Sequence, residues 1–234
     1  MRSAVHFIPI LSTFLALGFA AVLFGRYRAR GGSHLLWWGI GMLTYGAGTI
    51  TEASTTLLGW HEPLFRAWYI TGALLGGAPL AQGTVYLLLK KRTADLLSVA
   101  LVTAILAGAV CVLLSPIQYE LVESYRLSGK VLAWHWVRLI SPFINLYAVV
   151  FLIGGALLSA IRYARRLDTR QRMYANVAIA LGAILPGIGG TFTRFGHVEV
   201  LYVTEFLGLC FIALGYRLST GPSIYRAPVP VAAQ

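Results

Sequence analysis

Charged side chains are scarce in this chain. Eight acidic and 19 basic residues are spread over 234 positions, 12% charged against 58% hydrophobic, with a mean hydropathy of +0.73. A soluble domain carries about 25% charged and about 45–50% apolar residues. The composition therefore excludes a water-soluble globule and a disordered chain alike. Cysteine is rarer still: Cys111 and Cys210 both fall inside apolar runs and read as small buried hydrophobes, with no disulfide framework and no metal site. The last lysine is Lys130, so no late span offers a Schiff-base lysine, and a covalent retinal protein is excluded. Walker, Rossmann and nucleophile-elbow motifs are absent.

What is abundant is uninterrupted apolar sequence. A spanning helix needs about 20 mostly apolar residues, and seven runs qualify, at about 5–24, 35–58, 64–89, 95–115, 134–160, 174–194 and 199–216. They lack period-two alternation, which argues against barrel strands. The expected fold is all-α and integral to the membrane: a single bundle of seven transmembrane helices over residues 1–217, followed by a disordered tail, 218–234, with Pro222, Pro228 and Pro230.

The +11 net charge is distributed by loop. Arg26, Arg28 and Arg30 follow span 1; Lys90, Lys91 and Arg92 follow span 3. Arg162, Arg165, Arg166, Arg170 and Arg172 follow span 5, and Arg217 and Arg226 follow span 7. Thirteen of 19 basic residues thus share one side, and the positive-inside rule makes that side cytoplasmic. The N-terminus is expected outside and the C-terminus in the cytoplasm, most simply at the plasma membrane. These stripes read as anchors against anionic lipid, not as a nucleic-acid site. Only Arg2 precedes the first apolar core, so span 1 reads as an uncleaved anchor and not a signal peptide. The tryptophans Trp37, Trp38, Trp60, Trp68, Trp134 and Trp136 cluster at span ends as an aromatic belt.

Two loops are long. The external one, 115–132, repeats apolar residues at Ile117, Leu121 and Tyr125, which predicts a short surface helix. Spans 1–3 and 5–7 share an orientation, so a 3+1+3 parallel repeat is open. A shift of 136 positions gives eight identities over 47 positions, among them Arg26-Tyr27 with Arg162-Tyr163 and Gly46-Ala47 with Gly182-Ala183. In topology this layout resembles the SWEET-type sugar transporters and PnuC-type vitamin transporters. Pro9 and Pro142 sit in spans 1 and 5, but the Pro-Gln dipeptide of PQ-loop relatives is absent.

Ionisable groups inside spans are the best functional pointers, since each costs about 2.5–3.5 kcal/mol at a helix centre. Glu52 lies six residues before the external end of span 2, and Glu205 six residues after Glu199. Both are therefore about 9 Å below the outer boundary. Tyr45, Thr49, Glu52 and Thr56 share one helical face; His135, Arg138, Pro142 and Asn145 share another; Tyr202 and Glu205 a third. Arg66 opens span 3 and Arg194 ends span 6. The expected site is a polar pocket in the outer half of the bundle, formed by Glu52, Glu205, Arg138, Arg194, Arg66, Asn145, Tyr45, Thr49 and Tyr202, with at least one carboxylate near an arginine. Pairing would keep the carboxylates ionised, and unpaired burial would make them proton carriers. The alternative is that they are structural pairs fixing helix register.

Leu185-Pro186-Gly187-Ile188-Gly189-Gly190 in span 6 and Gly76-Gly77-Ala78-Pro79 in span 3 predict discontinuous helices. Gly72 and Gly76 equally form a GxxxG packing frame. His6, His61, His135 and His197 fall at one end without H-x3-H or HExxH spacing, so no metal or other cofactor is expected. Asp95 and Asp168 lie on the cytoplasmic side, unlike the intramembrane Asp of the seven-span hydrolases related to alkaline ceramidases. A small-solute or ion transporter, with proton coupling one option, fits best. A seven-span sensor or accessory subunit acting through partner proteins comes second, and an intramembrane enzyme third. The expected partners are the bilayer, a small polar solute or proton, and a second copy or protein partner.

Overall fold

The computed structural model describes residues 4–165, 169–193 and 195–222. Arg194 and all but the first residues of the tail lie outside this set. Nine α-helical segments are present among the described residues, together with two isolated bridges and no strand. They are α1 (Ile8–Arg30), α2 (Ser33–Leu58), α3 (Glu62–Trp68), α4 (Ala78–Leu88), α5 (Lys91–Leu114), α6 (Ile140–Ala148), α7 (Gly154–Ala164), α8 (Arg170–Thr193) and α9 (Val198–Thr220). A π-helical stretch, Tyr69–Leu74, prolongs α3 toward α4, and another, Val149–Ile153, joins α6 to α7. The segments thus form seven rods. Helix is the answer the solvent imposes, because lipid offers no hydrogen bonds to an exposed backbone.

Five helices are long and apolar enough to cross a membrane: Ala4–Arg30, Lys91–Leu114, His135–Ala164, Arg170–Thr193 and Val198–Thr220. The chain is therefore a polytopic integral membrane protein in contact with the bilayer. Its outward faces agree, with Phe14, Leu96, Val99 and Phe143 largely exposed. The other two rods depart for visible reasons. Helix α2 is diluted by glycine and by Thr44, Thr49, Thr51, Thr55 and Thr56, and the third rod is interrupted at 75–77.

The rods alternate in direction between a histidine end (His6, His61, His135, His197) and an arginine end (Arg26, Lys91, Arg162, Arg217). Neighbours follow the order α1, α2, α3/α4, α6/α7, α8, α9 and back to α1, a closed ring with α5 packed outside it against the third and fifth rods. Ala16, Ala20, Met42, Leu80, Leu152 and Leu209 fill the centre.

The tightest seam joins α8 to α9. A Cβ at Gly182 would lie 2.5 Å from the Gly208 carbonyl, and one at Gly215 would lie 2.5 Å from that of Ala175. Only glycine lets the two backbones meet so closely. This seam also explains Pro186. The sequence predicts a break there, but α8 is continuous from Arg170 to Thr193 with the proline inside. Proline removes the N–H that would bond the carbonyl four residues back. That carbonyl, Gly182 O, lies against Gly208 of α9, where a Cβ would be 2.6 Å away. Gly208 packs directly against this carbonyl, and α8 stays closed across the proline.

The expected break in the third rod is present. After the π-stretch the chain turns at 75–77, with Gly76 at φ +47°, and Pro79 restarts the helix as α4. The Ala73 carbonyl accepts from Ser141 Oγ and from Asn145 Nδ2 (3.1 Å).

The 115–132 loop is not the amphipathic helix its spacing suggests. It holds two 3-10 turns, Tyr119–Leu121 and Gly129–Val131, and bridges Ile117 to Leu132 and Glu123 to Arg126, while Leu121 and Tyr125 are exposed. The loop satisfies its backbone by folding on itself, Gln118 N to Val131 O (2.8 Å) and Ala133 N to Pro116 O (2.9 Å). Val131 and Leu132 are buried against Phe65, Tyr69 and Val112. Pairing between the two ends of the loop has displaced the local helical option.

Candidate functional site

Helix α2 buries Thr49, Glu52, Thr55 and Thr56 on one face, and α9 brings Tyr202 and Glu205 to meet it. The two carboxyl groups lie within hydrogen-bonding reach of each other. Glu52 is 4% exposed. Glu205 is half-buried, and its Oε2 is sealed from solvent, as is Glu52 Oε2. Trp68 Nε1 donates to Glu52 Oε1 (2.9 Å), and Tyr45 Oη donates to the Glu205 backbone carbonyl (2.9 Å). Tyr202, itself hydrogen-bonded to Thr56, lies beside both carboxyls. Thr49 Oγ1 bonds Thr13 Oγ1 of α1 (2.9 Å), which ties a third helix to this level.

No N–H or O–H from elsewhere in the described protein reaches Glu52 Oε2 or Glu205 Oε2. Two like charges 4 Å apart repel by about 4 kcal/mol at an effective dielectric of about 20. A hydrogen bond between carboxyl groups instead requires a proton on one of them, and that proton supplies the donor the two oxygens lack. An arrangement of this kind can hold one proton.

Two of the arginines expected here, Arg66 and Arg138, are elsewhere. Arg66 pairs with Glu62 (2.7 Å) and donates to the carbonyls of Val112 and Ser115 (3.0 Å for the latter). It caps the C-terminal end of α5, where unsatisfied carbonyls and the negative end of the dipole favour a cation. Arg138 is exposed, together with His135 and Pro142. The segment His135–Leu139 is a 3-10 helix, whose three-residue turn rotates these side chains off the face an α-helix would give them. Asn145 alone of that set turns inward, to the break in the third rod. Arg194 lies outside the described residues. The expected arginine–carboxylate contact is thus not made by Arg66 or Arg138, and the carboxyls face each other.

Sequence reasoning missed Trp68, which looked like one more belt residue, although as the last residue of α3 (Glu62–Trp68) it stands inside the rod and faces Glu52. It also missed a second buried polar cluster near the arginine end. Gln82, fully buried, donates to Ala94 O (2.9 Å) and Ser98 Oγ (2.6 Å), while its Oε1 accepts from Tyr147. Ser98 donates to Tyr86 (3.0 Å), Tyr86 to Asp95 (2.8 Å), and Asp95 pairs with Lys91 (2.7 Å). Gln82 carries no charge, so a search for ionisable residues passes over it.

At the histidine end a cavity of about 340 Å³ is lined by residues including His6, Glu123, Arg126 and Glu199. His6 lies 3.6 Å from Glu199, and its ring meets Tyr202 edge-on at 6.2 Å. Arg126 pairs with Glu123 (3.0 Å) and donates to Thr193 O (2.7 Å), closing the end of α8. Among the described residues no group of three or more His, Cys, Asp or Glu could hold a metal ion. No family model, curated protein or solved structure matches this chain.

Proposed function

We propose that this protein is a small-solute or ion transporter of the cell membrane, coupled to protons through Glu52 and Glu205. One observation carries the reading: two carboxyl groups meet inside the bundle with no cation beside them among the described residues. In this reading the chain crosses seven times over residues 1–217, the histidine end is outside and the arginine end cytoplasmic. The ring order is compatible with a 3+1+3 repeat, since a half-turn would exchange α1, α2 and α3/α4 with α6/α7, α8 and α9. The cavity at His6 and Glu199 serves as the mouth, and Tyr202 stands between it and the carboxyl pair. The discontinuity at 75–77, one turn and more beyond Trp68, is the hinge on which one side of the bundle rocks; the continuous α8 does not serve.

A seven-span sensor or accessory subunit is the second reading. It is favoured by the sealing of both Oε2 atoms from solvent, which suits a proton-reading switch better than a solute path.

The test is solute-driven proton flux in vesicles, beside thermal stability in detergent. Glu52→Gln and Glu205→Gln are expected to fold and to lose proton coupling while binding or exchange of solute persists. An absence of flux in the parent protein for every solute class tried would overturn transport and leave the sensor.

A further inference from the structure

A groove of about 380 Å³ runs between α1 and α9 and opens to the bilayer-facing surface. Its apolar length is formed by Phe14, Gly18 and Val22, and its far end by Arg26, Tyr216 and Arg217. Phe14 and Val22 are mostly exposed, so lipid chains are what they meet. From Phe14 to Arg26 the helix rises about 18 Å, close to the half-thickness of a hydrocarbon core of about 30 Å. The groove is therefore one leaflet deep, apolar toward the midplane and cationic at the headgroup level.

The cationic end is built. The Arg26 guanidinium lies over the Tyr216 ring, 5.1 Å from its centroid, a cation–π contact that fixes its position. Tyr216 is 8% exposed and is held edge-on by Phe19 (5.2 Å) and Trp38 (6.3 Å). Neither Arg26 nor Arg217 has a carboxylate partner among the described residues. Two guanidiniums at the mouth of an apolar groove, neither paired with a described carboxylate, complement a phosphate with an acyl chain attached. Gly18 leaves room for that chain: a Cβ there would meet nothing within 4 Å.

We propose that the α1–α9 groove is a specific site for one anionic phospholipid, with its phosphate between Arg26 and Arg217 and an acyl chain along Gly18. The neighbouring Arg28 and Arg30 are exposed and stand outside the groove, so they attract anionic lipid only diffusely.

The test is native mass spectrometry of the detergent-solubilised protein titrated with phosphatidylglycerol or phosphatidylcholine. The first phosphatidylglycerol is expected to bind at least about tenfold more tightly than phosphatidylcholine, a difference of about 1.4 kcal/mol. Arg26→Gln with Arg217→Gln should bring the ratio near one. Gly18→Leu should weaken phosphatidylglycerol by a similar factor with both arginines intact, because its side chain starts in open space and occupies the groove. Arg28→Gln with Arg30→Gln should leave binding unchanged, and glycerol phosphate should not compete. Equal loss from the Arg28 and Arg30 pair, no effect of Gly18→Leu, or competition by glycerol phosphate would each overturn the site.

Discussion

The bundle buries two polar clusters at different depths, and they are built on opposite plans. Near the arginine end, Gln82 sits at the centre of a chain in which its donors and its acceptor all have partners, ending in the exposed Asp95–Lys91 pair. Nearer the histidine end, Glu52 and Glu205 face each other with a single indole donor and two sealed, unanswered oxygens. The first cluster is neutral at its core and saturated; the second carries ionisable groups and is short of donors. A saturated network fixes helices in one arrangement. A network short of a proton exchanges one when its surroundings change. The break at 75–77 lies between the two, with Ala73 O held by Ser141 and Asn145.

The comparison breaks most readily at Gln82. Gln82→Leu keeps the volume but strands the Tyr147 hydroxyl, and an unsatisfied buried group costs about 1–3 kcal/mol. Reversible unfolding in mixed detergent should register a loss of that size, with no change in any proton-coupled activity. Trp68→Phe ranks next. It removes the N–H on Glu52 Oε1 and should cost about 1 kcal/mol, while altering the proton response of the pair, which Gln82→Leu leaves alone.

Glu52→Gln should cost less than either in stability. Its amide still accepts from Trp68 and can itself donate to Glu205, so no arginine is left unpaired. A structural ion pair would behave differently, since removing one member of a buried pair costs about 3–5 kcal/mol. A loss that large on Glu52→Gln would erase the distinction between the two clusters.

The smallest effect belongs to Glu62 at the histidine end. The Tyr119 hydroxyl, and after it Arg66, hold this carboxyl below its ordinary value of 4.5. A lowered value means that the contribution is complete above the unfolded value and lost as pH falls through the folded one. Amide exchange of the 115–134 loop should therefore quicken under acid, below the usual carboxylate range. Glu62→Gln should flatten that dependence and leave the Gln82 cluster untouched.

Much of this was legible before any coordinates. Apolar run length marks the helices because lipid forces the backbone to satisfy itself, and the equal depths of Glu52 and Glu205 follow from rise per residue. Partner choice was not legible. Arg66 looked available to a carboxylate because one sequence does not reveal that the end of α5 lies beside it with open carbonyls. Pro186 read as a breaker because its compensation, Gly208, comes from another helix. Gly182 and Gly189 on α8, and Gly208 and Gly215 on α9, do carry a seven-residue spacing that could have announced the seam, where Gly182 meets Gly208, Gly189 meets Leu201 and Thr204, and Gly215 meets Ala175. For the loop, a helical period at three positions lost to long-range pairing with Leu132.

Infrared difference spectroscopy tests the shared proton most directly, because a protonated carboxylic acid absorbs apart from a carboxylate. One buried protonated carboxyl is expected at neutral pH, with its band shifted or abolished by Glu52→Gln and by Glu205→Gln and unaffected by Gln82→Leu. A spectrum with no protonated carboxyl at neutral pH, or a band indifferent to both glutamate substitutions, would contradict the proton site.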